Sequence, residues 1–171
     1  MNAHLPTLGR RRKRRRAFTI IEVAVAIVLV SVFFAGAFYS NSRGLTMLRS
    51  SKETLAASKT LQERIERLRG ASWTEVTDAD TLRGIYAIAP STNSLGSLAE
   101  KVTISPWPPV AGNSLVVTRS SAGAAAISSD NDTLVDGNAV LVTIQVTWVG
   151  AGSRPRLRET ATVIANGGLG R

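Results

Sequence analysis

The sequence predicts an α+β protein in which a long N-terminal helix lies on a small antiparallel sheet. Three observations carry this reading. Residues 17–39 are apolar but for one charge, over a length that spans a bilayer as a helix. Residues 45–68 repeat apolar side chains at three- and four-residue steps, the period of a helix with one buried face. After Gly70 the pattern changes to short alternating stretches divided by Ser, Asn, Gly and Pro, which read as strands and turns. At 171 residues the chain suffices for one modest globular unit with a core.

The chain opens on a cationic leader. Its formal charge is +9, but seven of its 21 basic residues form the run Arg10 to Arg16. Without that run 14 basic residues face 12 acidic ones, a net of +2, so the charge marks the N-terminus and is no footprint of nucleic-acid binding by the folded body. There is no cysteine, which excludes a disulfide framework, a thiolate nucleophile and a Cys-ligated zinc site. The single histidine, His4, precedes the basic run, leaving the rest of the chain without the commonest general base and metal ligand. No nucleophile, base and orienting group can be assembled from such a chain, and the reading calls for no catalytic residue, no metal and no cofactor.

The next element is AFTIIEVAVAIVLVSVFFAGAFY, 23 residues from Ala17 to Tyr39 with Glu22 as the one charge. At ~1.5 Å per residue it covers roughly 34 Å, against a hydrocarbon core of about 30 Å. The cationic run abuts its start, so the positive-inside rule keeps that end cytoplasmic and translocates the chain beyond Tyr39. A secretory signal would have a shorter apolar region of about 7 to 15 residues and a small-residue cleavage site beyond it, which Ala35, Gly36 and Ala37 imitate only after too long a run. Glu22 demands a reason, because a carboxylate in a spanning helix costs about 2.5 to 3.5 kcal/mol near the centre and less where it can reach the interface. The plain alternative is an uncleaved signal anchor whose Glu22 snorkels to the headgroups.

A basic leader, Ala17, then Phe18-Thr19-Ile20-Ile21-Glu22 and a long apolar run resembles the cleavage and methylation motif of type IV prepilins and type II secretion pseudopilins. Two departures are present: Ala17 stands where that family usually has Gly, and Ile20 where it has Leu. The resemblance covers about residues 10 to 40. It implies cleavage between Ala17 and Phe18 by a membrane-embedded prepilin peptidase, N-methylation of Phe18, and pairing of Glu22 with the N-terminus of a neighbouring subunit during assembly. It also implies a pilin-like roll, other pilin or pseudopilin subunits and an inner-membrane assembly platform as partners, and a single-pass location in the bacterial inner membrane with a periplasmic C-terminal domain. On this reading residues 1–17 are a cleaved leader, 18–39 the span through the lipid bilayer, 40–70 an amphipathic helix, 71–165 an antiparallel β domain and 166–171 a flexible tail.

The amphipathic segment carries Leu45, Leu48, Leu55, Leu61, Ile65 and Leu68, with Glu63 and Arg67 paired at four residues. Arg64, Arg67 and Arg69 crowd its end, and Gly70 is expected in a left-handed cap. Taken without a break from Phe18 to Arg69, the helix would be roughly 78 Å long. Gly36, Asn41 and Gly44 weaken the join, as a flexible joint or as the plain end of a transmembrane helix.

Strands are expected at 84–89, 99–105 and 114–119, and most clearly at 139–149, where Val140, Val142, Ile144, Val146 and Trp148 alternate with polar and smaller residues. Gly150 to Ser153 then turns the chain into a return strand at 157–165. Trp73, Trp107 and Trp148 are expected in the core or at its rim. The loop Asp130-Asn131-Asp132, followed by Asp136-Gly137-Asn138, has oxygen ligands of the kind calcium takes but lacks the closing Glu of an EF-hand, and reads as a set of Asx turns.

Function therefore divides into three classes. The leading one is a structural subunit, a minor pilin or pseudopilin; the absence of a C-terminal cysteine pair argues against a major adhesive pilin. The alternative is an uncleaved single-pass binding module for DNA uptake or adhesion, with Arg119, Arg154, Arg156 and Arg158 as phosphate contacts, though a net of +2 without interleaved aromatics disfavours nucleic acid. An enzyme is the third and weakest.

Overall fold

The computed structural model describes residues 19–91, 95–110 and 112–167. It divides into two compact units, residues 1–44 and 45–171, with the boundary between Gly44 and Leu45. One helix, α1 (Ile20–Gly70), supplies the described part of the first unit and opens the second.

In the second unit, α1 is followed by α2 (Trp73–Thr77), α3 (Ala79–Ala87), β1 (Ala99–Pro106), β2 (Leu115–Arg119), β3 (Ala125–Ser129), a 3-10 turn (Asp132–Asp136), β4 (Ala139–Gly150) and β5 (Arg154–Ala165). The strands form one fully antiparallel sheet in the order β3-β2-β1-β4-β5. The α+β architecture expected from the sequence is the one observed.

The alternation of β4 decides how the sheet lies. Val140, Val142, Ile144, Val146 and Trp148 are buried, and their register partners on β1, Val102 and Ile104, point the same way. They meet Ala57, Leu61 and Leu68 of α1 and Leu82 and Tyr86 of α3 in one core. At about 25 cal/mol per Å² this burial is the main stabilising term.

Four sequence expectations change. Residues 84–89 are helical as far as Ala87: Asp78 caps α3 by accepting the Thr81 amide at 2.7 Å, and Leu82 and Tyr86, four apart, face the core. Gly70 ends α1 without a left-handed backbone; among the described glycines the positive φ values fall at Gly112, Gly123, Gly152 and Gly167. Leu45, Leu48 and Leu55 are exposed, because the buried stripe of α1 runs through Ala57, Leu61, Arg64 and Leu68. And Arg64, expected at the polar end of the helix, lies in the core.

Arg64 is fully buried and forks onto Glu100 of β1, Nε donating to Oε1 at 2.8 Å and Nη2 to Oε2 at 2.7 Å. Its remaining donors reach the Ile85 and Ile88 carbonyls at 3.2 and 2.8 Å, and the guanidinium lies 4.8 Å from the centre of the Tyr86 ring. Burial alone would lower its pKa, but the hydrogen bonds and charge of Glu100 outweigh that and raise it. On the acidic Tyr86 phenol burial acts in the opposite direction, raising its pKa, so the group stays neutral. Arg119 of β2 approaches the same carboxylate at 3.7 Å. The pair joins α1 to the middle of the sheet.

Candidate functional site

The first half of α1 is apolar on every side. Residues such as Ile27, Val32 and Phe33, the last 72% exposed, cover no part of the described protein. The segment is long and apolar enough to cross a membrane. Its start is set by Thr19, whose carbonyl accepts the Glu22 and Val23 amides at 3.0 and 3.2 Å and whose Oγ1 lies 3.3 Å from the Glu22 nitrogen. A hydroxyl just before a helix satisfies an amide that the helix itself leaves unpaired.

That start fixes the place of Glu22, the third residue of α1. It sits in the first turn, where aligned peptide dipoles and unpaired amides favour negative charge. One side of the helix here, Glu22, Val23, Ala26, Ile27, Val30 and Ser31, forms a shallow groove, with the Ser31 hydroxyl folded back on the Ile27 carbonyl at 2.8 Å. Small and β-branched side chains around the carboxylate leave room for a second helix to come close. At the other end of the apolar run, Arg43 stacks over the Tyr39 ring at 5.0 Å, an amphipathic pair of the kind that marks a membrane interface. Ala17 and Phe18, the expected cleavage and methylation residues, lie outside the described residues.

A second polar constellation lies on the other unit, where β5 runs beside α1. Arg156 Nη1 donates to Ser50 Oγ at 2.8 Å, Arg158 Nη1 to the Thr54 carbonyl at 3.2 Å and to Ser58 Oγ, and Glu53 accepts the Ala151 amide at 3.1 Å. Ser50, Thr54 and Ser58 repeat at the four-residue step that stacks side chains on one helix face. At Gly150 a Cβ would come within 2.7 Å of Arg156 Nε and 2.9 Å of Glu53 Oε2, so a side chain there would push both aside. Of the four arginines considered as phosphate contacts, Arg119 belongs instead to the buried group around Glu100, so the four do not form one surface.

Trp73 and Trp148 have the expected anchoring roles. Trp148 is buried, and Trp73 Nε1 donates to the Val135 carbonyl at 2.8 Å, holding the 3-10 turn against α2. Trp107 is half exposed. In the acidic loop Asn131 Oδ1 accepts the Thr133 amide at 3.1 Å and caps the 3-10 turn. Sequence reasoning does not reach the buried Arg64–Glu100 pair or the β5 contacts to α1. The first had a signal, an arginine at a core position of the helical stripe; the second had none.

Compared with known families, the chain matches the prokaryotic N-terminal methylation motif over residues 12–38. No curated protein and no solved structure matches it. The match spans the end of the basic run, Glu22 and nearly all of the apolar stretch, and its residues 20–38 form the outward-facing first part of α1. Residues 12–38 thus carry a motif of the kind found in type IV prepilin- and pseudopilin-type proteins, and the helix that bears it is long and apolar enough to cross a membrane.

Proposed function

We propose that the chain is a structural subunit, a minor pilin or pseudopilin, of a type IV pilus or type II secretion pseudopilus. The observation that carries this is the coincidence of the methylation motif at residues 12–38 with an apolar helix half whose only carboxylate, Glu22, stands in its first turn. In this reading a prepilin peptidase removes residues 1–17 on the cytoplasmic side and N-methylates Phe18. The mature helix remains in the inner membrane, the second unit is periplasmic, and the assembly platform passes the subunit into a filament of pilin-type partners. Its work is assembly, not catalysis.

The mechanism turns on charge. Cleavage between Ala17 and Phe18 creates a cationic amine at the new terminus. In a helix that amine is too close axially to its own Glu22 to be matched without bending, whereas a neighbour shifted along the filament axis presents its amine to the carboxylate. In a low dielectric the contact is strong, though desolvation offsets much of it, so its chief contribution is register.

The test is mass spectrometry of the membrane-extracted protein, with association measured alongside. The mature chain is expected to lack residues 1–17 and to carry one methyl group on Phe18. Glu22→Ala is expected to insert and be cleaved normally, since removing an intramembrane charge eases insertion, yet to lose crosslinking to partner subunits at equal membrane level. An intact leader in cells with active peptidase would refute the subunit reading. Unchanged crosslinking in the variant would refute the pairing of Glu22.

A further inference from the structure

We propose that Thr19 is a positioning residue for leader removal: by capping α1 it stops the helix short of the Ala17–Phe18 bond, which a peptidase can then take in an extended form. The inference deepens the subunit reading above and rests on it.

The cap is built from the backbone and the side chain of Thr19. Its carbonyl accepts the Glu22 amide at 3.0 Å and the Val23 amide at 3.2 Å, and its Oγ1 accepts the Glu22 amide at 3.3 Å. Ile20 is the first helical residue, and Thr19 itself lies outside the helix. A hydroxyl in this place takes up an amide that a helix start leaves without a partner, and so fixes where the helix begins. The contact uses the backbone of Glu22 and leaves its carboxylate for the pairing described above. Glu22→Ala therefore keeps the cap, in line with the normal cleavage expected of that variant.

The residues upstream give this stop its importance. From Arg10 to Ala17 the chain is arginine, lysine and alanine only, all of them among the best helix formers. Between Gly9 and Ser31, Thr19 is the only Ser, Thr, Asp or Asn, the residue types that begin a helix. Beside lipid an amide without a partner is costly, which drives the chain toward helix wherever nothing halts it. Repulsion among the cations opposes a helix through the whole basic run, but one extra turn, begun at Arg15 or Arg16, is enough to enclose the bond. A bond so enclosed has its amide and carbonyl committed to the helix ladder and offers a protease no extended backbone. Thr19 stands two residues beyond Ala17, so the stop falls directly after the bond to be cut.

The test follows conversion of precursor to mature chain by pulse-labelling in cells with active peptidase, with mass spectrometry to identify the cut. Four substitutions separate capping from shape. Thr19→Ser and Thr19→Asn keep a capping oxygen, the second with a different outline, whereas Thr19→Val keeps the outline without the oxygen and Thr19→Ala keeps neither. The first two are expected to be cleaved within about twofold of the wild-type rate, and the last two about fivefold more slowly. Arg16→Gly added to Thr19→Val is expected to recover most of the rate, since glycine disfavours a helix by about as much as the lost cap limited it; Arg16→Gly alone is the reference. Thr19→Val cleaved at the wild-type rate overturns the proposal. So does Thr19→Asn slowed as far as Thr19→Val, which would mean that the peptidase reads the threonine directly, and so does a double variant no faster than Thr19→Val. The subunit reading is scored apart. A wild-type leader that is never removed refutes that reading and this inference together, whereas a wild-type chain cut before Phe18 with all variants alike refutes this inference alone.

Discussion

Arg64 and Glu100 illustrate how one residue pair can be worth little as a pair and much as a unit. Both are fully buried, and the bidentate bond satisfies their charge. A buried ion pair replaced whole by apolar side chains is often neutral or better, but one partner removed alone leaves an uncompensated charge. Glu100→Gln is therefore expected to destabilise the protein by about 3 to 5 kcal/mol, because it strands Arg64 and weakens the hold on Arg119. Adding Arg64→Met to Glu100→Leu should recover most of that. Denaturant unfolding in detergent, followed by tryptophan fluorescence, measures both; equal losses in single and double variants would mean that the pair's packing, not its charge, matters. The sequence hid this site because an arginine among Glu63, Arg67 and Arg69 reads as part of a solvated helix end. Only the phase of the stripe through Leu61 and Leu68 places it inward.

Among the elements, β1, β2, β4 and β5 were legible because each alternates strictly enough to show a buried face. β3 was not, since Ala125–Ser129 is a short edge strand of small residues whose identity comes from its partner β2. Of the two short helices, α2 goes unassigned in the sequence reading and the end of α3 reads as a strand at 84–89. Ser72-Trp73-Thr74-Glu75 is a full capping box, with the Ser72 amide donating to Glu75 Oε2 at 2.7 Å, and its signature was present in the sequence. In α3 the alternation around Ile85 imitates a strand, while the cap at Asp78 decides for helix. That carboxylate is held below its ordinary pKa by the Thr81 hydrogen bonds, to its hydroxyl and its amide. A depressed pKa means stability that is present above the unfolded value, about 3.9, and lost as pH falls through the folded one. Asp78→Ala should thus lower the thermal midpoint at neutral pH, and the gap from wild type should narrow as the pH falls through the depressed pKa of the folded state. Melting curves at neutral and acid pH decide it; a gap that persists in acid would locate the effect elsewhere.

At the scale of the molecule, the buried core among the described residues runs from Ala56 to Trp148, with Ile164 packed against it, all within the unit that begins at Leu45. A chain starting at Leu45 is expected to fold, with circular dichroism of mixed helix and strand and a cooperative melt; an aggregated or all-helical product would contradict the sheet's independence from the membrane segment. The site was legible in uneven measure. Glu22 and its apolar run could be read residue by residue, since the chemistry lies in one continuous stretch. The arginine contacts to α1 could not, because they arise when Arg156 meets Ser50, 106 positions away. Arg154, Arg156 and Arg158 share one face of β5 by the two-residue period, and of these Arg156 and Arg158 reach Ser50, Thr54 and Ser58 of α1.

That separation also has a meaning in time. The helix face around Ser50 to Ser58 is made about a hundred residues before β5, the strand that covers it. At roughly 5 to 20 residues per second, the interval between the two is on the order of 5 to 20 seconds. Throughout it the nascent chain holds an unfinished flank, open to proteases and to other nascent copies beside it. A ribosome that stops at Gly150 makes that interval permanent, leaving a product with its β4 edge and its serine ladder bare. Loss of β5 is therefore expected to read in cells as rapid degradation well before it reads as any defect in the membrane helix.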